Sequence, residues 1–430
     1  MKDSVKTRGY YEILIAVLAS ILVFPKPATI AILIFVVVSL FYYHNIKWTR
    51  VAIWSIVIIA LPFVLDLIFL WNNDVLGEGL KHMEKRLSMA VFPILILSQR
   101  QDFNLLRILK IYSTIFTILL TVLFARYAIV ESALFYKYLN GIHLWEMGYA
   151  FANSMGLHAP AVNMHVAFLV LVHTYLIACC WKRMTLRLRI LRIILWCISV
   201  FMLLYLNTRI AVGIALVGIL VIIFLELSRQ VNIRSLIIST SIAALLLIFI
   251  VFAFAKANPY MLEKYTTKTF KNIDMVGRLD EFDDPEGEVF TSFVTRLSIW
   301  KTAWDRAQDN LWIGVGAADG KKELSQAYVD TNQAFLAKYK FPTHNQYLDF
   351  LLKFGILGLF AVVIYMFHIL WLALKLKNSL VFMFFILFLV SNLTDDFLIR
   401  FDGIAFSALW ISIFASQYWK DRADTNLLTA

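Results

Sequence analysis

Charge is what this chain has least of. Asp, Glu, Lys and Arg together make up 16% of its 430 residues, against 61% hydrophobic residues. A soluble domain carries about 25% charged residues, so this composition and a mean hydropathy of +0.75 exclude one. Acidic residues are scarcer than basic ones, 29 against 40, which leaves a net charge of +11. The basic excess is not gathered into a block. It is spread among the loops between apolar runs, which points away from nucleic acid and towards topology signals and phosphate contacts. Cysteine is nearly absent. Cys179, Cys180 and Cys197 all lie in or at the edge of apolar runs, so no structural disulfide is expected outside the membrane.

What the chain does have is long apolar runs. A window of roughly 20 residues predicts an all-α polytopic membrane protein with about twelve transmembrane helices. They fall near 10–24, 28–43, 51–70, 84–98, 106–125, 160–180, 192–207, 210–227, 235–255, 346–371, 378–395 and 404–419. The start is basic (Lys2, Lys6, Arg8) and leads into an apolar run, as a signal peptide does. That run continues through Pro25-Lys26-Pro27 into a second span, which predicts a retained first helix. Lys47, Arg50, Arg100, Arg107, Lys110, the run from Lys182 to Arg192, Arg229, Arg234, Lys375, Lys377, Lys420 and Arg422 all fall on one side. The positive-inside rule makes that side, and both termini, cytoplasmic. Residues 1–255 then form a bundle of about nine helices, 256–345 an extracytoplasmic subdomain, and 346–430 the closing helices with a short tail.

The segment before residue 345 is too long for a plain connector. Phe293, Leu297, Trp300 and Trp304 recur at helical spacing. Leu324, Ala327, Phe335, Leu336 and Tyr339 predict a second amphipathic helix, and Gly314, Gly316 and Gly320 a turn between the two. Such helices can lie on a leaflet and roof a cavity. A cap with no chemistry of its own is the plainer reading.

Three places carry candidate chemistry. Arg209 sits in Leu206-Asn207-Thr208-Arg209, a short turn between two spans. A charge inside a bilayer costs roughly 2.5–3.5 kcal/mol at a helix centre, so such a residue is paired, functional or snorkelling to the interface. Arg296 opens Arg-Leu-Ser-Ile-Trp-Lys-Thr-Ala-Trp, with Gly314-Val315-Gly316 further on. By spacing alone it is the solvated face of a helix. His344-Asn345, nine residues, then Gly355-Ile356-Leu357-Gly358 stands where the polar segment meets a span. An imidazole there can move a proton, because its ordinary pKa lies near neutrality. The glycines remove side chains where a chain or a lipid approaches closely.

Other polar residues have plainer readings. The acidic run from Asp280 to Glu288 is a solvated loop before it is a cation site. His158, His165 and His173 are packing or pore-lining residues. Asp66, and Asp395, Asp396, Arg400 and Asp402 at an outer turn, are expected to pair with basic groups. Lys81, Lys85 and Arg86 end the fourth span on the outer side, as snorkelling residues or as further phosphate contacts.

Thr208-Arg209, then Arg296-x-x-x-Trp300 leading to Gly314-x-Gly316, then His344-Asn345-x9-Gly355-x-x-Gly358 together resemble the O-antigen ligase/polymerase superfamily of bacterial envelope glycosyltransferases. The His-Asn spacing is most like the ligase branch. One departure is Asn-Thr-Arg where a Ser-Arg pair is commoner. The resemblance implies metal-independent, inverting transfer of a glycan from undecaprenyl pyrophosphate to a lipid A-core hydroxyl, with no cofactor. Arg209 and Arg296 would hold the departing pyrophosphate, with Lys85 and Arg86 as further contacts. His344 would be the base, and Asn345, Gly355 and Gly358 structural. The setting would be the periplasmic face of a bacterial inner membrane, with membrane lipids as surroundings.

Three rival readings remain. A polymerase joining lipid-linked repeats has the same donor chemistry, but the Arg-x10-Gly and Arg-x15-Gly loop patterns of some polymerases are absent here. A protein O-oligosaccharyltransferase usually carries extra C-terminal material. A lipid-sugar flippase would explain many spans and buried charge, but not a large loop flanked by an Arg turn and a His on one face.

Overall fold

The computed structural model describes residues 2–41, 50–98, 103–261, 272–290 and 292–428, with backbone alone at 2–8, 50–51 and 420–428. Lys47 and Arg100, and the side chains of Lys2, Lys6, Arg8, Arg50, Lys420 and Arg422, lie outside the described residues. Among the described residues every regular element is a helix.

The bundle contains α1 (Lys2–Ile21), α2 (Pro25–Phe41), α3 (Arg50–Ile68), α4 (Leu76–Arg86), α5 (Ser88–Leu97) and α6 (Leu105–Val130). The short α7 (Ser132–Leu139) and α8 (Met147–Ser154) lead into α9 (Ala159–Cys180), α10 (Leu186–Leu206), α11 (Arg209–Leu227) and α12 (Ile233–Ala257). Six helices are long and apolar enough to cross a membrane: α6, α9, α10, α11, α12 and α17 (Gln346–Leu376). Four shorter apolar helices accompany them: α1 from Gly9, α2, α3 from Ala52, and α18 (Ser379–Thr394). The expected spans near 84–98 and 404–419 fall on α5 and on α19 (Phe401–Leu428). The first of these is broken at Leu87, so α5 has only 10 residues, half of the ~20 that a bilayer needs.

α9 is the centre of the bundle. It is buried along nearly its whole length and packs on α6, α10, α11 and α18. A fully buried Trp410 on α19 meets Phe168 of α9 and Tyr112 of α6 edge-on, each with ring centroids 4.9 Å apart. A helix apolar all round, as α9 is, belongs inside such a core. α12 is the opposite case, packing mainly on α11 with its other faces exposed, as a lipid-facing helix would.

One end of the bundle gathers basic loops. There Arg192 donates to Ser113 Oγ and Lys110 O, Arg189 donates to Trp181 O, and Gln230 donates to Ala178 O. The three cysteines are free.

The other end carries a cap built from α13 (Pro285–Val289), α14 (Phe293–Gln308), α15 (Gly320–Asp330) and α16 (Ala334–Tyr339). The cap has its own core, with Val294, Ile299, Leu324, Tyr328, Phe335 and Leu336. That core continues into Leu351 and Leu352 of α17. The first turns of the predicted 346–371 span therefore pack with the cap.

Two details of the cap differ from the sequence pattern. The second amphipathic helix is two helices, split by Asn332 at φ 54°, a left-handed conformation that Asn tolerates. The buried face of α14 is Val294, Thr295, Ser298, Ile299, Thr302 and Ala303, while Trp304 stays 48% exposed. Small residues let α14 press against α17, while Phe293, Leu297 and Trp300 stay half-buried and Trp300 packs against the cap's core.

The glycines lock the cap onto α17. Gly355 has φ 64°, ψ −153° and breaks the helix. A Cβ there would lie 2.3 Å from the Trp312 carbonyl carbon, and one on Gly314 would lie 2.3 Å from that of Lys353. The two backbones run together: Val315 N donates to Leu352 O, Gly316 N to Lys353 O, and Ile356 N to Leu311 O at 2.7 Å. The close approach is chain on chain. Gly358 serves the same bend, since its Cβ would meet Phe350 O at 2.3 Å.

Candidate active site

Arg209 is placed by a helix junction. Asn207 ends α10 in the left-handed region at φ 47°, and Thr208 caps α11 in extended conformation. The chain thereby turns back within two residues, and Arg209 becomes the first residue of α11. The Thr208 hydroxyl accepts from Asn163 Nδ2 at 2.8 Å, which pins the turn to α9. The departure from the commoner Ser-Arg pair thus keeps a hydroxyl in a defined hydrogen bond. Gly148 of α8 lies against the same turn, and a Cβ on it would meet Leu206 O at 2.3 Å.

Arg296 comes from the first turn of α14, whose Ser292 cap accepts from Thr295 N at 3.2 Å. His344 comes from the exit of the cap. It has φ 46°, an uncommon backbone for a residue with a side chain. Asn345 immediately fixes it: its Oδ1 accepts from Tyr347 N at 3.0 Å and Leu348 N at 3.2 Å, an N-cap for α17. The His-Asn pair is thus a turn residue followed by a cap, set between the cap's core and the span.

These three residues line one cavity of about 900 Å³. Its walls also carry Thr208, Tyr149, His158, Glu146, Tyr260 and Asp395. Arg296 makes no ion pair among the described residues. The Tyr149 hydroxyl sits in the field of Arg296, Asp395 and Arg209. His158 also lines the cavity. Burial pushes its pKa down to about 4, with Arg400 adding to the fall, so it stands there as a neutral imidazole at neutral pH.

His344 has a carboxylate partner. Its Nδ1 lies 3.4 Å from Asp395 Oδ1. Asp395 follows α18 and is buried. Burial opposes its charge, yet hydrogen bonding with the His344 and Asp396 side chains, together with the positive charge of Arg400, holds it below the usual carboxylate range. Asp396 goes the other way. Burial and the adjoining Asp395 charge raise it well above that range. An ionised Asp395 on Nδ1 fixes the imidazole tautomer and leaves Nε2 as the basic nitrogen. His344, Asp395 and Asp396 are also the set of donor atoms, all within 4.8 Å of one another, that could hold a metal ion.

The structure does not bring Arg86 into this cavity. Arg86 is fully buried, 2.7 Å from Asp66 Oδ1, donating to Leu398 O and lying 4.8 Å from the Phe350 ring centre. It ties α3, α4 and α17 together, which is neither snorkelling nor an open phosphate contact. Lys85 faces a second, smaller cavity behind His344. His165 and His173 are inside the bundle, with His173 Nε2 2.9 Å from Thr117 Oγ1. The acidic run of the cap is structural: Asp280 accepts from Phe335 N, Asp284 caps Gly287 N, and Glu286 pairs with Lys338.

Sequence reasoning placed Asp395 only at an outer turn in want of a basic partner. Its pairing with His344 spans 51 residues and needs the fold to be seen. Tyr149 and Asn163 had no signal of their own.

A family model described as O-antigen ligase matches residues 193–363. Over that stretch the chain is similar to the O-antigen ligase family. That region contains Arg209, Arg296, His344, Asn345, Gly355 and Gly358. Tyr149, His158 and Asp395 complete the same cavity from outside it. Comparison with curated proteins gave no match.

Proposed function

We propose that this protein is an integral membrane glycosyltransferase of the O-antigen ligase type. It takes a glycan from undecaprenyl pyrophosphate and joins it to a hydroxyl of lipid A-core at the outer face of the bacterial cytoplasmic membrane. The observation that carries this reading is the convergence of Arg209, Arg296 and the His344–Asp395 pair on one cavity.

The chemistry follows from the residue types. The acceptor hydroxyl oxygen attacks the anomeric carbon of the donor. His344 Nε2 takes the hydroxyl proton, and Asp395 stabilises the imidazolium that results. The bond from the anomeric carbon to the phosphate oxygen breaks, and the electron pair leaves on the lipid pyrophosphate. Single displacement inverts the anomeric carbon. Arg209 and Arg296 stay charged at any working pH and can each grip phosphate oxygens in two-pronged fashion. Arg209 also stands at the N-terminus of α11, where the helix dipole favours an anion. Charge stabilisation of a leaving group in such a partly closed site is commonly the largest catalytic contribution.

The polymerase uses the same donor and differs only in the acceptor. Deletion of the gene followed by gel analysis of envelope glycolipid separates them. Accumulated long lipid-linked chains with uncapped core are expected. Core bearing a single repeat would make the protein a polymerase, and an unchanged ladder with hypoglycosylated protein would make it a protein transferase.

A further inference from the structure

A second cavity of about 300 Å³ lies behind His344, within the ~300–1,000 Å³ range of ligand sites. Two stretches of chain, residues 341–344 and 395–400, line both it and the first cavity. Phe341 and His344 face the first cavity, whereas Pro342 and Thr343 face the second. Asp395 and Phe397 face the first, whereas Asp396, Ile399 and Arg400 face the second. The catalytic wall therefore has a back side.

That back side is built for negative charge. Lys85, Lys321 and Arg400 converge on it from α4, α15 and the turn before α19, and none of them has an ion-pair partner among the described residues. Lys353 on its floor is already neutralised by Asp349 at 2.8 Å. Asp396 also lines the cavity. It is 2% exposed, and its Oδ2 has no hydrogen-bond partner. Burial and the adjoining Asp395 push its pKa up, which weakens its repulsion of an anion. The first turn of α15 also borders the cavity and has no side-chain cap, which adds partial positive charge.

We propose that this second cavity binds a phosphate, or a comparable dianionic group, carried by the acceptor glycolipid. The assignment rests on the transfer reaction proposed above. Arg209 and Arg296 already account for the donor's pyrophosphate. In a single displacement the acceptor enters opposite the leaving group, on the side where His344 waits. The molecule nearest the back of the His344 wall is therefore the acceptor.

The test measures binding without any donor, so that a failure of transfer and a failure of this site remain separate. The full chain in detergent is titrated with phosphorylated lipid A-core and with the same glycolipid after phosphatase treatment. Wild type is compared with the Lys85→Ala/Lys321→Ala double variant, whose side chains are exposed and whose fold is checked by its thermal midpoint. Charge-assisted hydrogen bonds are strong enough that wild type should bind the phosphorylated form at least about tenfold more tightly. The double variant should lose that preference. Equal affinity for the two glycolipids, or an unchanged preference in the variant, would overturn the proposal. So would displacement of the glycolipid by phosphatidylglycerol micelles as effective as by unlabelled glycolipid, which would make this a membrane-headgroup site. Absence of transfer in a parallel assay with donor would instead count against the proposed reaction.

Discussion

At the scale of single residues, the centre of the site is an imidazole held between a carboxylate and a cavity. His344→Ala should lose about 10²–10⁴-fold in kcat, the usual contribution of a general base, with the donor KM little changed. Asp395 touches no substrate in this account and acts by positioning His344. Asp395→Asn keeps the size of the side chain but removes its charge, so it should lower kcat in the same direction without weakening the donor. Steady-state kinetics with each substrate varied in turn would decide this. A rise in donor KM at unchanged kcat would make the pair a binding element and not a base. The same three residues, His344, Asp395 and Asp396, could hold a cation. The account predicts that EDTA leaves the transfer rate of purified protein unchanged. Loss of activity that a divalent cation restores would place a metal at this cluster.

At the scale of elements, the fold turns on how α17 begins. Gly355 lets the chain bend so that the backbone at 311–316 can pair with residues 352–356. Gly355→Ala puts a Cβ into backbone 2.3 Å away, at a φ of 64°. Left-handed strain alone costs about 1–3 kcal/mol, and the clash adds to it. Gly77 on α4 has nothing within 4 Å of its added Cβ, so Gly77→Ala should be neutral or slightly stabilising. Thermal unfolding of the two variants side by side checks this. Equal midpoints would mean that the junction between the cap and α17 contributes little.

The long helices α6, α9, α10, α11 and α12 were legible in the sequence, because hydropathy over some twenty residues is a strong signal. Arg209 and His344 stand out in the sequence at element boundaries where charge meets an apolar run, whereas Arg296 by spacing alone read as a solvated helix face, and its place on the same cavity needs the fold. The break at Leu87 was not legible, since Arg86 and Leu87 are good helix formers and Leu87 itself keeps helical dihedrals. The buried face of α14 was not legible either: large aromatics carry the periodicity, whereas the tightly packed face is Val294, Thr295, Ser298, Ile299, Thr302 and Ala303. Asp395 was hidden because its partner lies in a different element.

At the scale of the whole molecule, the cavity and the basic loops lie at opposite ends of the bundle, and the positive-inside rule puts the basic end in the cytoplasm. A reporter fused after Gly287, in the cap, should be active outside the cytoplasm, and one after Arg187 should be active inside. The reverse pattern would set His344 on the cytoplasmic face, where no outward-facing lipid-linked donor could reach it.

The most direct measurement is reconstituted transfer by purified protein from an undecaprenyl pyrophosphate-linked glycan to lipid A-core, comparing wild type with Arg209→Ala, Arg296→Ala and Arg296→Lys. Wild type should form glycan-capped core with inverted anomeric configuration. The alanine variants should be nearly inactive at normal protein level. The lysine variant should recover only part of the rate, because an ammonium cannot make the two-pronged phosphate contact. Capped core formed by both alanine variants at the wild-type rate would contradict the account.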